Sequence, residues 1–381
     1  MNSDKKLLRD NFLNLKLSAG SHSPSVITLK EKLPNIPIKV DACFLSNPYA
    51  TELFLDYLNE DLKSKINLRE ILEFYPSTNQ VISSQLSKVL DVGKENVFIC
   101  NGAIEAIQAV IHNFTKQKLI VNIPTFSSYY EFARPDTEVV FYKMKKDKYF
   151  KLDIDDYIDF VRRNNPDTVV IINPNNPDGG YIEYEMMKYV ITELKDVDNL
   201  IIDESFIHFA FEDKSLSPVS NSKLFNDFNN LIIIKSMSKD FGIAGIRAGY
   251  VIMNEEKIKK LLENGYLWNS NGFSEYFFRL YSSKAFLNDY ENIRRKYILE
   301  TSGFFQELSN KKGIKLYPSK ANFALIELIN NQTSDDFVAD LLIDSGIYVR
   351  TCSDKIGLDG EFVRIASRTF NENQLIINSL K

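Results

Sequence analysis

The chain has 381 residues, of which 44% are hydrophobic, and a formal net charge of −5 at pH 7. This length allows a large buried core in two or three lobes, and the mild charge argues against a nucleic-acid surface. The three cysteines and three histidines form no CxxC pair and no metal-ligand spacing, so no disulfide framework and no metal are expected. The N-terminus lacks the apolar core of a signal peptide and no later run could span a bilayer, so we expect a cytoplasmic protein that binds no membrane.

Residues 1–45 show little regular pattern beyond one possible helix, and we interpret them as an N-terminal arm. Residues 46–255 then alternate short apolar strands with helical segments, which is typical of an α/β large domain with a mostly parallel, helix-covered, doubly wound sheet. Predicted strands are Val97–Cys100, Leu119–Ile123, Val139–Met144, Thr168–Asn173, Leu200–Asp203, Leu231–Lys235 and Tyr250–Met253, and predicted helices are Ile104–Asn113, Ile154–Arg163 and Glu185–Leu194.

Residues 256–381 are predicted to form a smaller C-terminal α/β domain. A helical stretch covers 255–266 and resumes over 274–303, and shorter strands are predicted at Asn322–Glu327, Tyr348–Arg350 and Phe362–Ala366. A final helix is predicted from Glu372.

A strand-to-helix turn at 101–105 is the first candidate binding site. Gly102 permits close backbone approach, and the free amides at a helix start favour an anion. An ordinary βα turn is the alternative for this segment.

The turn 173–180 holds two Asn-Pro dipeptides, which restrict the backbone. This would aim the Asn176 amide in one direction, where it can donate to an anionic oxygen. The alternative is a rigid loop with no binding role.

Two charged residues lie at or just beyond the ends of predicted strands. Asp203 closes the apolar run 200–203, and a carboxylate buried there needs a cationic partner. The alternative is that Asp203 caps a helix or forms a salt bridge at the strand end. Lys239 follows the apolar run 231–234, with Arg247 eight residues later. An amine in a dry pocket beside an anion can form a Schiff base with a carbonyl cofactor, and a solvated loop lysine is the alternative. The glycines at 242, 245 and 249 do not match the dinucleotide fingerprint, so a nicotinamide cofactor is rejected.

Together these segments resemble the fold-type-I pyridoxal-phosphate enzymes of the class I/II aminotransferase family, from about residue 43 onward and in the family's order. The resemblance implies that Lys239 binds pyridoxal 5'-phosphate covalently and moves a proton at the substrate α-carbon. It implies that Asp203 pairs with the ring nitrogen and Asn176 with the ring oxygen. Further cofactor contacts are implied for Gly102, Ala103, Ile104, Phe126, Phe206, Ser236 and Arg247.

The resemblance also implies contacts beyond the cofactor ring. Tyr75 matches a tyrosine that reaches the cofactor phosphate of the neighbouring subunit, which implies a homodimer with shared active sites. Arg350, Arg364 and Asn322 are predicted to bind the substrate. We interpret His22 as an exposed histidine, although it could match a histidine of the family's arm.

Within the family the chain is most similar to threonine-phosphate decarboxylases and histidinol-phosphate aminotransferases. Phe206 stands where most aminotransferases place a tyrosine, and it cannot donate to the ring oxygen. Several arginines in one lobe suit a phosphate dianion.

We predict an aminotransferase that moves an amino group, by family default from L-glutamate, to a small phosphorylated keto compound. The alternative is a decarboxylase of a phospho-amino acid such as O-phosphoserine or O-phosphothreonine. A DNA-binding regulator is disfavoured, because about 45 residues before the fold leave little room for such a domain.

Overall fold

The computed structural model describes residues 3–20, 22–210, 222–267 and 269–380. Helices are α1 Ser3–Ser18, α2 Val26–Lys32, α3 Pro48–Ser64, α4 Leu68–Glu73, α5 Asn79–Leu90, α6 Ala103–Phe114, α7 Ser128–Glu131, α8 Ile154–Asn164, α9 Tyr184–Glu193, α10 Glu255–Glu263, α11 Gly272–Tyr281, α12 Lys284–Ser309, α13 Ser334–Ser345 and α14 Phe370–Ser379. Strands are β1 Val40–Asp41, β2 Val97–Cys100, β3 Lys118–Ile123, β4 Glu138–Lys143, β5 Thr168–Ile172, β6 Asn199–Asp203, β7 Leu231–Ser236, β8 Gly249–Ile252, β9 Ile314–Leu316, β10 Phe323–Leu328, β11 Ile347–Tyr348, β12 Arg350–Thr351 and β13 Phe362–Ala366.

The larger sheet has seven strands in the order β2-β8-β7-β6-β5-β3-β4. All neighbours run parallel except β8, which is antiparallel to β2 and to β7. Every residue of β5, β6 and β7 is buried, because hydrophobic clusters cover both faces of the sheet. The predicted fold class, a mostly parallel helix-covered sheet beside a smaller α/β part, is confirmed.

A four-stranded antiparallel sheet of order β12-β13-β10-β9 and a two-stranded parallel sheet of β1 with β11 complete the fold. The hydrophobic cluster around these sheets includes Phe12 of α1 and Leu29 of α2, so the N-terminal residues pack on the C-terminal part of the chain. The division into an arm and two domains at residues 45 and 255 stays a prediction.

Three segments differ from the sequence predictions. The strand predicted at 348–350 is split at Val349, and its two halves pair in different sheets. The helix predicted over 274–303 is two helices, interrupted at Ser282 and Ser283. The arm holds a second helix, α2, which Ser25 begins by accepting from the Thr28 amide. None of the described helices is long and apolar enough to cross a membrane.

Candidate active site

A cavity of about 350 Å³ opens where β6 and β7 end at their carboxyl ends. Parallel α/β sheets bind ligands at this edge. Its walls come from the N-terminal segment, α6, the loops after β3, β5, β6 and β7, and the strands of the smaller part. The predicted residues that line it are Ala103, Ile104, Phe126, Asn176, Asp203, Phe206, Ser236, Lys239, Arg247, Arg350 and Arg364.

Lys239 lies in the turn that follows β7, and it is half-buried. The Asn47 amide donates to its carbonyl oxygen at 2.9 Å, which fixes the turn. Burial, with the nearby guanidinium groups of Arg364 and Arg247, lowers the pKa of the Lys239 amine to about 8. A neutral, nucleophilic amine is therefore accessible near neutral pH.

Asp203 ends β6 and is 3% exposed. It accepts from the Tyr129 hydroxyl and from the Ser205 amide, each at 2.8 Å. Burial raises the pKa of this carboxyl, while these donors and the charge of Lys235 act against the rise. A carboxylate held by two donors at the cavity wall fits a protonated ring nitrogen. Sequence reasoning missed Tyr129, because its contact with Asp203 joins residues 74 positions apart.

Positive and neutral donors converge where α6 begins. Gly102 adopts φ +78°, and a Cβ there would lie 2.5 Å from Arg247 Nη2, so only glycine leaves space for this guanidinium. Ser236 and Ser238 line the same wall, and the buried Ser238 hydroxyl has no partner within the described chain. A helix start, a guanidinium and an unpartnered hydroxyl fit a phosphate group. Ser238 directly precedes Lys239, but the sequence prediction did not assign it.

Three side chains that the resemblance assigns to the cofactor ring lie in the same cavity. Asn176 Oδ1 accepts from Arg364 Nη1 at 2.7 Å, which leaves the amide NH₂ as its donor group. Phe126 and Phe206 line the cavity, and Phe206 packs edge-to-face on Phe323 with ring centroids 5.0 Å apart.

One end of the cavity is cationic. Arg350 Nη2 donates to Asp354 at 2.8 Å and Nη1 to the Ser23 hydroxyl at 3.0 Å. Lys355 also pairs with Asp354, at 3.2 Å. Arg364 donates to the Cys43 carbonyl at 3.0 Å, and its buried Nε has no partner within the described chain. Three cations with only one carboxylate between them in the described part of the chain suit a dianionic ligand. Sequence reasoning missed Ser23 and Lys355, which reach this end of the cavity from distant segments.

Four residues from the sequence analysis lie outside the cavity wall or only border it. Gly102 supports the cavity wall without lining it. Asn322 is not among the described residues that line the cavity, and its amide donates to the Leu45 carbonyl at 2.9 Å and to the Tyr297 hydroxyl at 3.2 Å; its assignment to the substrate stays a prediction. Tyr75 is 90% exposed and lies outside the cavity of its own chain. His22 is exposed, as interpreted, yet it also borders the cavity.

The model of the family described as aminotransferase class I and II matches residues 64–379. The chain belongs to this family. An L-serine phosphate decarboxylase of Campylobacter jejuni is 57% identical over 380 residues, covering 100% of this chain and 97% of that protein. An L-serine phosphate decarboxylase of Sulfurospirillum multivorans is 45% identical over 381 residues, with the same coverage.

A solved structure of a decarboxylase from Sulfurospirillum multivorans superposes with a TM-score of 0.94 at 45% identity, covering 100% of this chain and 97% of that one. A histidinol-phosphate aminotransferase of a Thermoanaerobacter species is 30% identical over 83% of this chain and 87% of that protein. The cofactor is pyridoxal 5'-phosphate, as the sequence predicted, and the donor set at Ser238, Arg247 and Asp203 fits it. The relatives favour the decarboxylase alternative over the predicted aminotransferase.

Proposed function

We propose that this chain is a pyridoxal-phosphate-dependent decarboxylase of a phospho-amino acid, with O-phospho-L-serine as its substrate. The observation that carries the choice of reaction is the likeness over the full length to two proteins described as L-serine phosphate decarboxylases. The cationic end of the cavity supports a phosphorylated substrate independently, because Arg350, Lys355 and Arg364 gather there.

The proposed roles follow from the contacts. Lys239 binds the cofactor, Asp203 pairs with its ring nitrogen and the Asn176 amide donates to its ring oxygen. Phe126 covers one ring face. The phosphate is held by Ser236, Ser238, Arg247 and the amides that begin α6, with the close approach of Arg247 allowed by Gly102.

In decarboxylation the bond from the α-carbon to the carboxylate breaks and carbon dioxide leaves, so an electron pair remains at the α-carbon. Bound pyridoxal phosphate supplies the electron sink for that pair. Arg350 and Lys355 hold the substrate phosphate and orient the molecule in the cavity. Lys239, with its lowered pKa, delivers a proton to the α-carbon, so that O-phosphoserine yields carbon dioxide and O-phosphoethanolamine.

We also propose a homodimer in which Tyr75 completes the neighbouring site. Leu72 and Phe74 are 69% and 64% exposed, next to Tyr75 at 90%. An apolar surface of this kind on a folded chain marks an interface. A second copy as its occupant follows from the family resemblance, in which a tyrosine at this position reaches the neighbouring cofactor. Mixing a Tyr75→Phe variant with a Lys239→Ala variant tests this, because a shared site predicts partial recovery of activity in the mixed dimer, and separate sites predict none.

The test of the reaction incubates the purified holoenzyme with O-phospho-L-serine and measures carbon dioxide and O-phosphoethanolamine. We expect both in equal amounts, with one deuterium at the α-carbon in heavy water. The same enzyme with L-glutamate alone should keep its visible absorbance. Loss of that absorbance with release of 2-oxoglutarate, and no carbon dioxide from O-phosphoserine or O-phosphothreonine, would return the assignment to an aminotransferase.

A further inference from the structure

A buried polar cluster lies next to the turn that carries Lys239. It consists of Lys235, His208, Asp240 and Tyr290, which we call the Lys235 cluster. Lys235 is 1% exposed, and Asp240 and Tyr290 are fully buried. The cavity does not include these four residues, and the mechanism above gives them no role.

The members are joined by short contacts. Lys235 Nζ donates to Asp240 Oδ2 and to the Glu204 carbonyl, the latter at 3.0 Å. His208 Nδ1 lies 3.1 Å from Asp240 Oδ2 and 3.1 Å from the Tyr290 hydroxyl. Burial lowers the pKa of His208 well below its usual value, so the ring is neutral. Asp240 is therefore the anion that faces the Lys235 ammonium.

The cluster joins the end of β7 to the turn that follows it. Successive side chains of a strand point to opposite faces, so Lys235 lies on the face away from Ser236, which lines the cavity. Asp240 directly follows Lys239, and the ring of Phe241 stacks on Tyr290 with centroids 4.0 Å apart. The contact between Lys235 and Asp240 thus ties the end of β7 to the turn, with Lys239 between them in the sequence.

A buried ion pair of this kind is a poor device for stability alone. Removing two charges from water carries a desolvation cost that their attraction often fails to recover, and apolar residues of similar volume are often as stable. The cluster does lie within electrostatic reach of the reacting groups. Asp240 raises the pKa of Lys239, against burial and the two arginines, and Lys235 lowers the pKa of Asp203, against burial.

We propose that the Lys235 cluster positions Lys239 for catalysis, with Asp240 and Lys235 as positioning residues that fix the turn and set the local electric field. This inference rests on the proposed role of Lys239 as the residue that binds the cofactor. Charged and titratable groups face Asp240 from every element packed against it. They are Lys235 of β7, His208 after β6, Tyr250 of β8, Tyr281 of α11, and Tyr290 and Arg294 of α12. Glu204 after β6 acts on Tyr250 and Tyr281.

The test measures the visible absorbance of the bound cofactor against pH in the holoenzyme. Asp240→Asn removes the anion and leaves the Lys235 ammonium, so the pH midpoint of the absorbance should fall by about one unit. The double variant Lys235→Met with Asp240→Asn removes both charges, so its midpoint should lie between those of Asp240→Asn and wild type. We also expect kcat to fall about tenfold or more with little change in KM, because the amine is misplaced.

Asp159→Asn, an exposed aspartate on α8, is the matched control and should leave the midpoint unchanged. If Asp240→Asn does not fold, the double variant alone tests the proposal. The pH midpoint of its cofactor absorbance must then still lie below that of wild type. Wild-type midpoints in the folded variants would overturn the proposal, since a merely structural role changes stability without moving the midpoint. Lys239→Ala separates the two assignments: if it keeps the absorbance of the lysine-bound cofactor, the proposed function fails, whatever Asp240→Asn does.

Discussion

Arg350→Gln should impair the use of a phosphorylated substrate far more than the use of the same molecule without phosphate. Arg350 is 6% exposed and donates to Ser23 and Asp354 at the cationic end of the cavity. A hydrogen bond to a charged group contributes about 1.5–3 kcal/mol, and part of it is offset because Arg350 must leave Asp354. A net loss of about 2 kcal/mol corresponds to about 30-fold in kcat/KM.

The assay compares kcat/KM for O-phospho-L-serine and for L-serine, from the release of carbon dioxide. We expect the 30-fold loss for the first and less than about threefold for the second, which has no phosphate to bind. Arg368→Gln is the matched control, since Arg368 donates to the Ser46 carbonyl at 2.9 Å and is not among the described residues that line the cavity. Equal losses on both substrates in Arg350→Gln would remove this residue from phosphate binding.

Three further predictions concern the cofactor side of the cavity. Lys239→Ala should lower kcat by about 10³-fold or more and remove the absorbance of the lysine-bound cofactor, with an unchanged far-ultraviolet circular dichroism spectrum; a variant that turns over normally would refute the assignment. Phe206→Tyr should lower the pH midpoint of the cofactor absorbance, because a phenol that donates to the ring oxygen withdraws electron density; an unchanged midpoint would show that residue 206 does not reach this oxygen. In the cofactor-free chain the folded-state pKa of Lys239, about 8, lies below its usual value of 10.5, so the unfolded chain binds more protons and stability should rise by about 3 kcal/mol from pH 8 to pH 10.5. Urea midpoints of wild type and Lys239→Met should show this rise in the wild type alone, and parallel curves would contradict it.

The buried strands could be predicted from the sequence to within one residue at either end. β5, β6 and β7 are runs of Val, Ile and Leu because helices cover both faces of the sheet. The strand at 348–350 was wrong for a physical reason. Val349 is buried like its neighbours, and nothing in an apolar run shows that the chain changes sheets within it. The helices α3 to α5 were not predicted.

The candidate site also contains residues that a local sequence pattern indicates and residues that it does not. Lys239, Asp203 and Asn176 could be placed together because each lies at or within four residues of the end of a buried strand, and parallel strands bring their carboxyl ends together. Tyr129 and Lys355 reach the site through long-range packing that no local pattern records. Asn322 was assigned to the substrate by resemblance, and nothing in the sequence indicated that its amide donates to the distant Leu45 carbonyl.

The cavity joins two groups of residues that come from different parts of the chain. The residues proposed for the cofactor lie mostly at the carboxyl ends of β2, β3, β5, β6 and β7, whereas the cations proposed for the substrate come from residues 350–364, with Ser23 beside them. Arg364 links the two groups, since it donates to Asn176 at 2.7 Å and its charge lowers the pKa of Lys239.

Arg364→Gln should therefore act on both groups, unlike Arg350→Gln. Without the guanidinium charge, the pH midpoint of the cofactor absorbance should rise, opposite to the fall expected for Asp240→Asn, and KM for O-phospho-L-serine should rise as well. A spectral titration beside the kinetic assay checks both effects. A raised KM with an unmoved midpoint would show that Arg364 serves the substrate alone, and that its bond to Asn176 does not couple substrate binding to the cofactor.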